Sequence, residues 1–259
     1  MRTLASITAA LAGARLRDVV RPLLADGRRT TVHVARWDRA RTRVRVVGLA
    51  SQLPLAEWCA ATGTPDALVG GFYTRPAGLP LGELRIAGVL AAHVPFTAPW
   101  DRTRASLHVA ADGTVRIDRR DALPPEPDGA LLQAGPLLVR DGEVVCRDGE
   151  DQEGFSRAAG QFDSDITDGR HPRAAIGISD GTLIAVVADG RAPADAGLTL
   201  GELAAVMTGL GASAAMNLDG GGSASLVWDG QLCNRPREQH GIELDGGRAI
   251  TTVIAFDAA

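Results

Sequence analysis

Apolar and polar residues alternate in two stretches near the start of the chain, TTVHVARW (30–37) and TRVRVVGL (42–49). Alternation with a period of two is typical of strands that bury one face, and the residues between them, 38–41, are predicted to form a turn. Further strands or hairpins are predicted for DALVGGFY (66–73), LGELRIAGVL (81–90), ASLHVAADGTVRID (105–118) and LLQAGPLLVRDGEVV (131–145).

Apolar residues at helical spacing predict three helices. The clearest spans TLGELAAVMTGLG (199–211), where Thr199 can cap the first turn and Glu202 completes a capping box. A second is predicted from Leu55 to Thr62. An amphipathic N-terminal helix that ends at Gly27 is predicted from five apolar residues at helical spacing: Leu16, Val19, Val20, Leu23 and Leu24.

Strand patterns lie on both sides of the 199–211 helix, in GTLIAVVADGR (181–191) and ASAAMNLDGGGS (212–223). Such a unit usually crosses over right-handed and leaves its two strands parallel. Asp189 and Asp219 would then lie at the same edge of a sheet, where open α/β sheets bind ligands. We therefore expect an α/β (mixed α+β) fold, a single domain with a mixed β-sheet flanked by helices. Residues 1–64 supply its N-terminal helix and first strands, and residues 65–259 supply the rest.

The composition of the chain argues against several classes of function. The 259 residues carry a net charge of -4, and no basic stripe with interleaved aromatic residues is present, which argues against nucleic acid as a partner. No stretch is long enough to span a membrane, and three scattered cysteines suggest neither zinc nor a disulfide framework. The short apolar run at the N-terminus is a candidate for a signal peptide, but because it continues into the predicted helix, a cytoplasmic protein is expected. The acidic segment DSDITDG (163–169) is interpreted as a solvated loop, and no metal is predicted.

Polar side chains stand at the ends of predicted strands in the last third of the chain. In NLDGGGS (217–223), three successive glycines indicate a sharp turn or the close approach of another group. Asp-Gly pairs such as Asp112-Gly113 are ordinary turn signals, so the place of Asp219 at a strand end is what marks it as a candidate. Arginine suits bidentate recognition of phosphate or carboxylate, and three arginines lie near strand ends: Arg173, Arg191 and Arg248.

Several short motifs follow one another over about residues 65–256. They are GGFY (70–73), PLG (80–82), AGPLLVRDG (134–142), HPRAAIGISDG (171–181), ADGR (188–191), GLTLGELAAVMTGLGASAAMNLDGGGS (197–223) and Arg248. Together these motifs resemble the phosphodiester glycosidase family. The chain departs from the family at Val69, where Asn is usual before the glycine-aromatic motif, and at Gly247, where Glu is usual before the late arginine.

The resemblance implies hydrolysis of a sugar that is linked through its anomeric carbon to a phosphodiester, with no cofactor and with a small-molecule or glycan sugar phosphate as partner. Asp219 is the first candidate, and Asp189 the second, for the carboxylate that attacks the anomeric carbon or activates a water. A non-catalytic glycan- or phosphate-binding protein on the same scaffold is the alternative, which Val69 and Gly247 favour. The expected substrate-binding residues are Arg173, Arg191, Arg248, Asn217, Ser223, Gly71, Gly220 and Gly221.

Overall fold

Strands make up most of the regular structure in the computed structural model, which describes residues 15–156 and 166–259. The helices are α1 (Leu55–Thr62), α2 (Trp100–Thr103) and α3 (Leu200–Gly209). The strands are β1 (Arg15–Val20), β2 (Val32–Asp38), β3 (Thr42–Leu53), β4 (Ala67–Val69), β5 (Leu84–Ile86), β6 (Val89–Leu90), β7 (Ala105–Val109), β8 (Val115–Arg119), β9 (Ala130–Gln133), β10 (Leu137–Arg140), β11 (Glu143–Val144), β12 (Arg173–Ser179), β13 (Thr182–Ala188), β14 (Ala214–Asn217), β15 (Leu226–Trp228), β16 (Gln231–Leu232) and β17 (Ile250–Ala258).

These strands form three sheets. One has seven strands in the order β1-β2-β13-β12-β14-β10-β11, and the other two have five strands each, in the orders β16-β15-β4-β17-β3 and β6-β5-β9-β7-β8. Within the described residues, neighbouring strands of all three sheets pair antiparallel. The α+β class expected from the sequence is confirmed. Within the described part of these sheets, two strands run parallel to each other only where they are not neighbours.

The central strands of the seven-stranded sheet are covered on both faces, and β13 is apolar at almost every position. In β13, Leu183, Ala185 and Val187 belong to the core that the three sheets share. Ile184 and Val186, which alternate with them, belong to a second core beneath α3. Uninterrupted apolar runs of this kind are typical of strands that are covered on both sides.

Helix α3 begins at the capping box that the sequence predicts. The Glu202 N–H donates to Thr199 Oγ1 (3.0 Å), and Glu202 Oε2 accepts from the Thr199 N–H (3.0 Å). Leu203 and Met207 then point into the core beneath the helix, where both are fully buried. The helix at Leu55–Thr62 and the hairpins predicted along the first half of the chain are also present.

The two strands on either side of α3 run parallel, as the sequence predicts, but they are not neighbours in the sheet. β13 and β14 both pair antiparallel with β12, which lies between them, so these two strands run parallel to each other. β12 occupies this position because it forms a hairpin with β13 through the Asp180-Gly181 turn. The backbones of Asp189, just after β13, and Asp219, just after β14, consequently lie at one edge of the sheet.

The predicted N-terminal helix is wrong where the structure describes it. Residues 15–20 form β1, which pairs with β2 along its whole length, whereas residues 1–14 lie outside the described residues. Arg15 anchors this strand, since it ion-pairs with Asp66 and Asp229 and lies 4.7 Å from the ring centre of Trp228. Pairing with β2, together with the contacts of Arg15 with Asp66 and Asp229, therefore outweighs the helical spacing of the apolar residues.

Candidate active site

A cleft of about 660 Å³ opens at the sheet edge where Asp219 lies. Its walls come from segments that are far apart in the sequence, because each follows or precedes a strand that ends at this edge. The lining comprises residues 72–75 and Leu81 after β4, Ile166 and residues 170–173 around the start of β12, Arg191 after β13, residues 217–221 after β14, and Gln239, His240 and Arg248 before β17.

Asp219 is held in this cleft through both its backbone and its side chain. Its backbone N–H donates to the Gly70 carbonyl (3.1 Å), and its Oδ1 accepts from the Gly220 N–H (2.9 Å). Burial raises the pKa of Asp219 to about 6, although the Ser223 hydroxyl and the Arg248 cation act in the opposite direction. A carboxylate with a pKa perturbed by burial, lying in a cleft, is typical of a catalytic group.

Two glycines allow the backbone to pack closely around this carboxylate. A Cβ at Gly70 would lie 2.4 Å from Thr252 Oγ1, the oxygen that also accepts from the Gly71 N–H (2.9 Å). Gly221 has a φ of +61°, and a Cβ there would lie 3.0 Å from Arg191 Nη1. Gly221 and the glycine before it line the cleft, whereas Gly71 is buried and does not.

Asn217 and Ser223 place buried polar atoms close to Asp219. Asn217 Nδ2 donates to the Gly135 and Leu218 carbonyls (2.9 Å each), which fixes the orientation of the amide. In the described part of the chain, Asn217 Oδ1 and Ser223 Oγ have no hydrogen-bond partner of normal geometry, although Ser223 is close enough to Asp219 to lower its pKa. Buried polar atoms without partners are rare, and Asn217 lines the cleft.

Arg173 is a buried cation that backbone carbonyls hold in place. Its side chain donates from Nε to the Leu198 carbonyl (3.1 Å) and from Nη2 to the Ile166 carbonyl (2.9 Å). Burial lowers the pKa of Arg173 to about 10, so the side chain remains charged at neutral pH. No carboxylate among residues 15–156 and 166–259 lies within ion-pair distance of Arg173, although Asp148 attracts its charge from farther away.

Arg191 is a second cation without a carboxylate partner in the described residues. Its backbone is left-handed, with a φ of +58°, an unusual conformation for this residue type. Nη1 donates to the Arg237 carbonyl (3.1 Å), and Nη2 lies 3.4 Å from His171 Nδ1. Burial lowers the pKa of Arg191. Neutral acceptors thus hold both Arg173 and Arg191, and the carboxylates that attract their charges, Asp148 and Glu238, do so without an ion pair.

Arg248 differs from these two arginines because its charge is neutralised by Glu238. Nε donates to Glu238 Oε1 (2.6 Å) and Nη2 donates to Glu238 Oε2, which makes a bidentate pair. The acidic partner of Arg248 therefore comes from position 238, while Gly247 carries no side chain. Val69 is fully buried in β4 opposite Val253, so the residue at this position faces the core rather than the cleft.

Asp189 is not brought into the cleft, contrary to the expectation that two carboxylates share it. Its Oδ1 accepts from the Arg235 N–H (2.7 Å), and its Oδ2 lies 3.2 Å from His33 Nε2. The residue is 4 % exposed and does not line the cleft. Both oxygens are occupied by protein groups, so the geometry assigns Asp189 to holding the 234–237 segment, and Asp219 is the candidate that remains.

Tyr73 and His171 line the cleft although neither was singled out as a site residue. The Tyr73 hydroxyl lies near Arg248 and Ser223, and burial raises the pKa of Tyr73, so the phenol stays protonated. His171 Nε2 donates to the Asp168 carbonyl (3.0 Å). Their positions in the sequence indicate a place near the site, because Tyr73 follows the glycine pair at 70–71 and His171 lies two residues before Arg173.

The fold and the cleft agree with comparisons to known proteins. The sequence profile of the phosphodiester glycosidase family matches residues 64–257, and the chain belongs to this family, whose members are glycosidase-type hydrolases. Mouse N-acetylglucosamine-1-phosphodiester alpha-N-acetylglucosaminidase is 29 % identical over 175 residues, which are 65 % of this chain and 32 % of the mouse protein. The match thus spans about a third of the length of that curated relative.

Two solved structures share the fold. The catalytic domain of zebrafish N-acetylglucosamine-1-phosphodiester alpha-N-acetylglucosaminidase, auto-inhibited by its pro-peptide, has a TM-score of 0.71 and 21 % identity, covering 96 % of this chain and 85 % of that one. A hypothetical protein from Synechocystis has a TM-score of 0.63 and 18 % identity, covering 95 % of this chain and 62 % of the other.

Among residues 15–156 and 166–259, no three His, Cys, Asp or Glu side chains come together as ligands for one metal ion. No helix in those ranges is both long enough and apolar enough to cross a bilayer. The cytoplasmic location expected from the sequence stays a prediction.

Proposed function

We propose that this protein hydrolyses the bond between the anomeric carbon of a sugar and the phosphate of a phosphodiester, with Asp219 as the catalytic carboxylate. One observation carries the proposal. A carboxylate with a raised pKa shares a cleft with two arginines, Arg173 and Arg191, that form no ion pair with an acidic side chain of the described residues. Such a cleft suits a substrate that has both an electrophilic carbon and an anionic leaving group.

The charge of the leaving group changes during this reaction, and the two arginines match that change. A phosphodiester carries one negative charge, and the phosphate monoester released by cleavage on the sugar side carries close to two near pH 7. Cations that are already fixed in place stabilise charge that develops in the transition state. Because neutral acceptors hold Arg173 and Arg191, both side chains remain positively charged and fixed in place where this charge develops.

One carboxylate is sufficient for a substrate of this kind. Ordinary glycosidases need a second carboxyl group to protonate the departing oxygen, but a phosphate monoester leaves readily as an anion. Asp219 then acts in its ionised form, as the nucleophile or as the base that activates water. Retention of configuration at the anomeric carbon indicates direct attack by Asp219, and inversion indicates an activated water.

The unpartnered acceptor of Asn217 and the hydroxyl of Tyr73 are the groups best placed to bind sugar hydroxyl or amide groups. The name of the mouse relative specifies N-acetylglucosamine joined to a phosphodiester. We therefore propose this sugar as the first to test, followed by other sugars that present hydrogen-bond donors to the same wall of the cleft.

The proposal is tested by comparing leaving groups and arginine variants. Wild-type protein should cleave a sugar-1-phosphodiester and leave the matching neutral aryl glycoside uncleaved, since only the former engages the two arginines. Arg173→Gln and Arg191→Gln should each lower kcat about ten- to a hundred-fold, the equivalent of one charged hydrogen bond. Arg43→Gln removes an exposed arginine outside the cleft and serves as the matched control.

The same experiment separates an enzyme from a binding protein. If the wild type binds the phosphodiester but cleaves none of the sugars offered, the alternative of a non-catalytic binding protein replaces this proposal. If the neutral glycoside is cleaved as fast as the phosphodiester, the two arginines have no part in leaving-group departure and the proposed chemistry is wrong.

A further inference from the structure

His171 lies in contact with Arg191 and within the electrostatic reach of Arg173, the two arginines that carry the proposed phosphate site. Its backbone is fixed by paired hydrogen bonds with Leu198 (3.1 and 3.0 Å). The imidazole donates from Nε2 to the Asp168 carbonyl, which leaves Nδ1 as the acceptor that faces Arg191 Nη2 at 3.4 Å. In the free protein the ring is consequently a neutral acceptor, and it lines the same cleft as Arg173 and Arg191.

The charged groups around His171 are more positive than negative. Burial, followed by the positive charges of Arg173 and Arg191, lowers the pKa of His171 to about 4, while Asp168 acts weakly in the opposite direction. An anion that binds between the two arginines neutralises the positive charges that oppose protonation of the ring. Opposite charge within a few ångströms favours the charged form of an ionisable group by about one to three pKa units.

We propose that His171 takes up a proton from solvent when a phosphate dianion binds in the cleft, and that the resulting imidazolium becomes the third cation of the phosphate site. This inference rests on the proposed function, because it concerns the same leaving group. On protonation, Nδ1 changes from an acceptor to a donor and releases Arg191 Nη2, so that both groups can donate to the phosphate oxygens. Positive charge in the site then rises as the phosphate acquires its second negative charge.

Nuclear magnetic resonance of the histidine side chains tests this inference on the wild-type protein. Sulfate is the probe, because it is a tetrahedral dianion that exchanges no proton between pH 4 and 8, so any change in protonation belongs to the protein. The chain has five histidines, and the His171→Gln variant assigns the His171 signal by its loss. We expect the neutral Nε2–H tautomer without sulfate, and a rise of at least about one unit in the pKa of His171 with saturating sulfate.

Controls separate this inference from the proposal on which it rests. His93 lies outside the cleft and should not respond to sulfate. Arg191→Gln should raise the pKa of His171 in the free protein, because it removes one of the opposing charges. If sulfate binds but the His171 pKa stays within about 0.3 units or falls, His171 has no part in charge compensation. If sulfate binds nowhere near Arg173 and Arg191, the phosphate site itself is wrong.

Discussion

Replacement of Asp219 by asparagine should abolish activity and, at neutral pH, make the protein more stable. The variant keeps the shape of the side chain and an oxygen that can accept from the Gly220 N–H. It removes the negative charge, which burial makes costly in the folded state. Loss of an acid-base group alone costs about 10²–10⁴ in rate, and loss of a nucleophile costs at least as much.

The gain in stability follows from the raised pKa. A shift from 3.8 to about 6 corresponds to about 3 kcal/mol at most, and contact of the carboxylate with solvent in the cleft reduces this to about 1 kcal/mol. That amount raises Tm by about 2–4 °C for a chain of this size. Because the folded state binds the proton more tightly than the unfolded state, the wild type loses this stability as the pH rises from about 4 to about 6. The difference between wild type and variant should thus be full above pH 6 and absent below pH 4.

The assay pairs hydrolysis of a sugar-1-phosphodiester with thermal unfolding at pH 4, 5.5 and 7.5. Asp180→Asn is the matched control, since Asp180 also precedes a glycine but lies in the turn at the opposite edge of the sheet. A variant Asp219→Asn that unfolds earlier at pH 7.5 and keeps its activity per folded molecule would refute the reasoning, because Asp219 would then be a structural residue.

Three more predictions follow from the same geometry. The kcat/KM of the wild type should rise with pH through about 6 as Asp219 ionises, and a flat profile from pH 5 to 8 would contradict its role as base or nucleophile. Glu238→Gln should lower kcat about ten-fold by loosening Arg248, whose bidentate partner it replaces; an unchanged rate would show that this pair does not position the site. Asp189→Ala should cost about 1–3 kcal/mol of stability, because it leaves the Arg235 N–H without its acceptor and the buried His33 imidazole without its carboxylate partner. Full stability with no activity would return Asp189 to a catalytic role.

Local signals in the sequence were sufficient for some elements of the fold. The capping box of Thr199 and Glu202 depends on residues three positions apart, so the start of α3 could be predicted from the sequence alone. The first strand could not be predicted in this way. Leu16 and Val19 fit a helix by spacing, and only the pairing of β1 with β2, together with the ion pair from Arg15 to Asp66, makes this segment a strand.

Local signals in the sequence were also insufficient to predict the candidate site. Asp189 and Asp219 carry identical local signals, since each follows a buried strand and precedes a glycine. What distinguishes them is tertiary contact, because the partners of Asp189 are His33, 156 residues away, and the backbone of Arg235, 46 residues away. No spacing rule predicts those partners. The sequence indicates Arg173, Arg191 and Arg248 as a set of candidates. Only the structure shows that Arg248 has a neutralising carboxylate, because Glu238 is ten residues away.

The most direct test of the central claim asks which bond is broken. Hydrolysis of a sugar-1-phosphodiester in water enriched in ¹⁸O, followed by mass spectrometry of the released phosphate monoester, separates attack at carbon from attack at phosphorus. If Asp219 acts on the anomeric carbon, the oxygen from water enters the sugar and the phosphate monoester contains no ¹⁸O. One ¹⁸O atom in the phosphate monoester would show cleavage of the phosphorus–oxygen bond, and the protein would be a phosphodiesterase rather than a glycosidase.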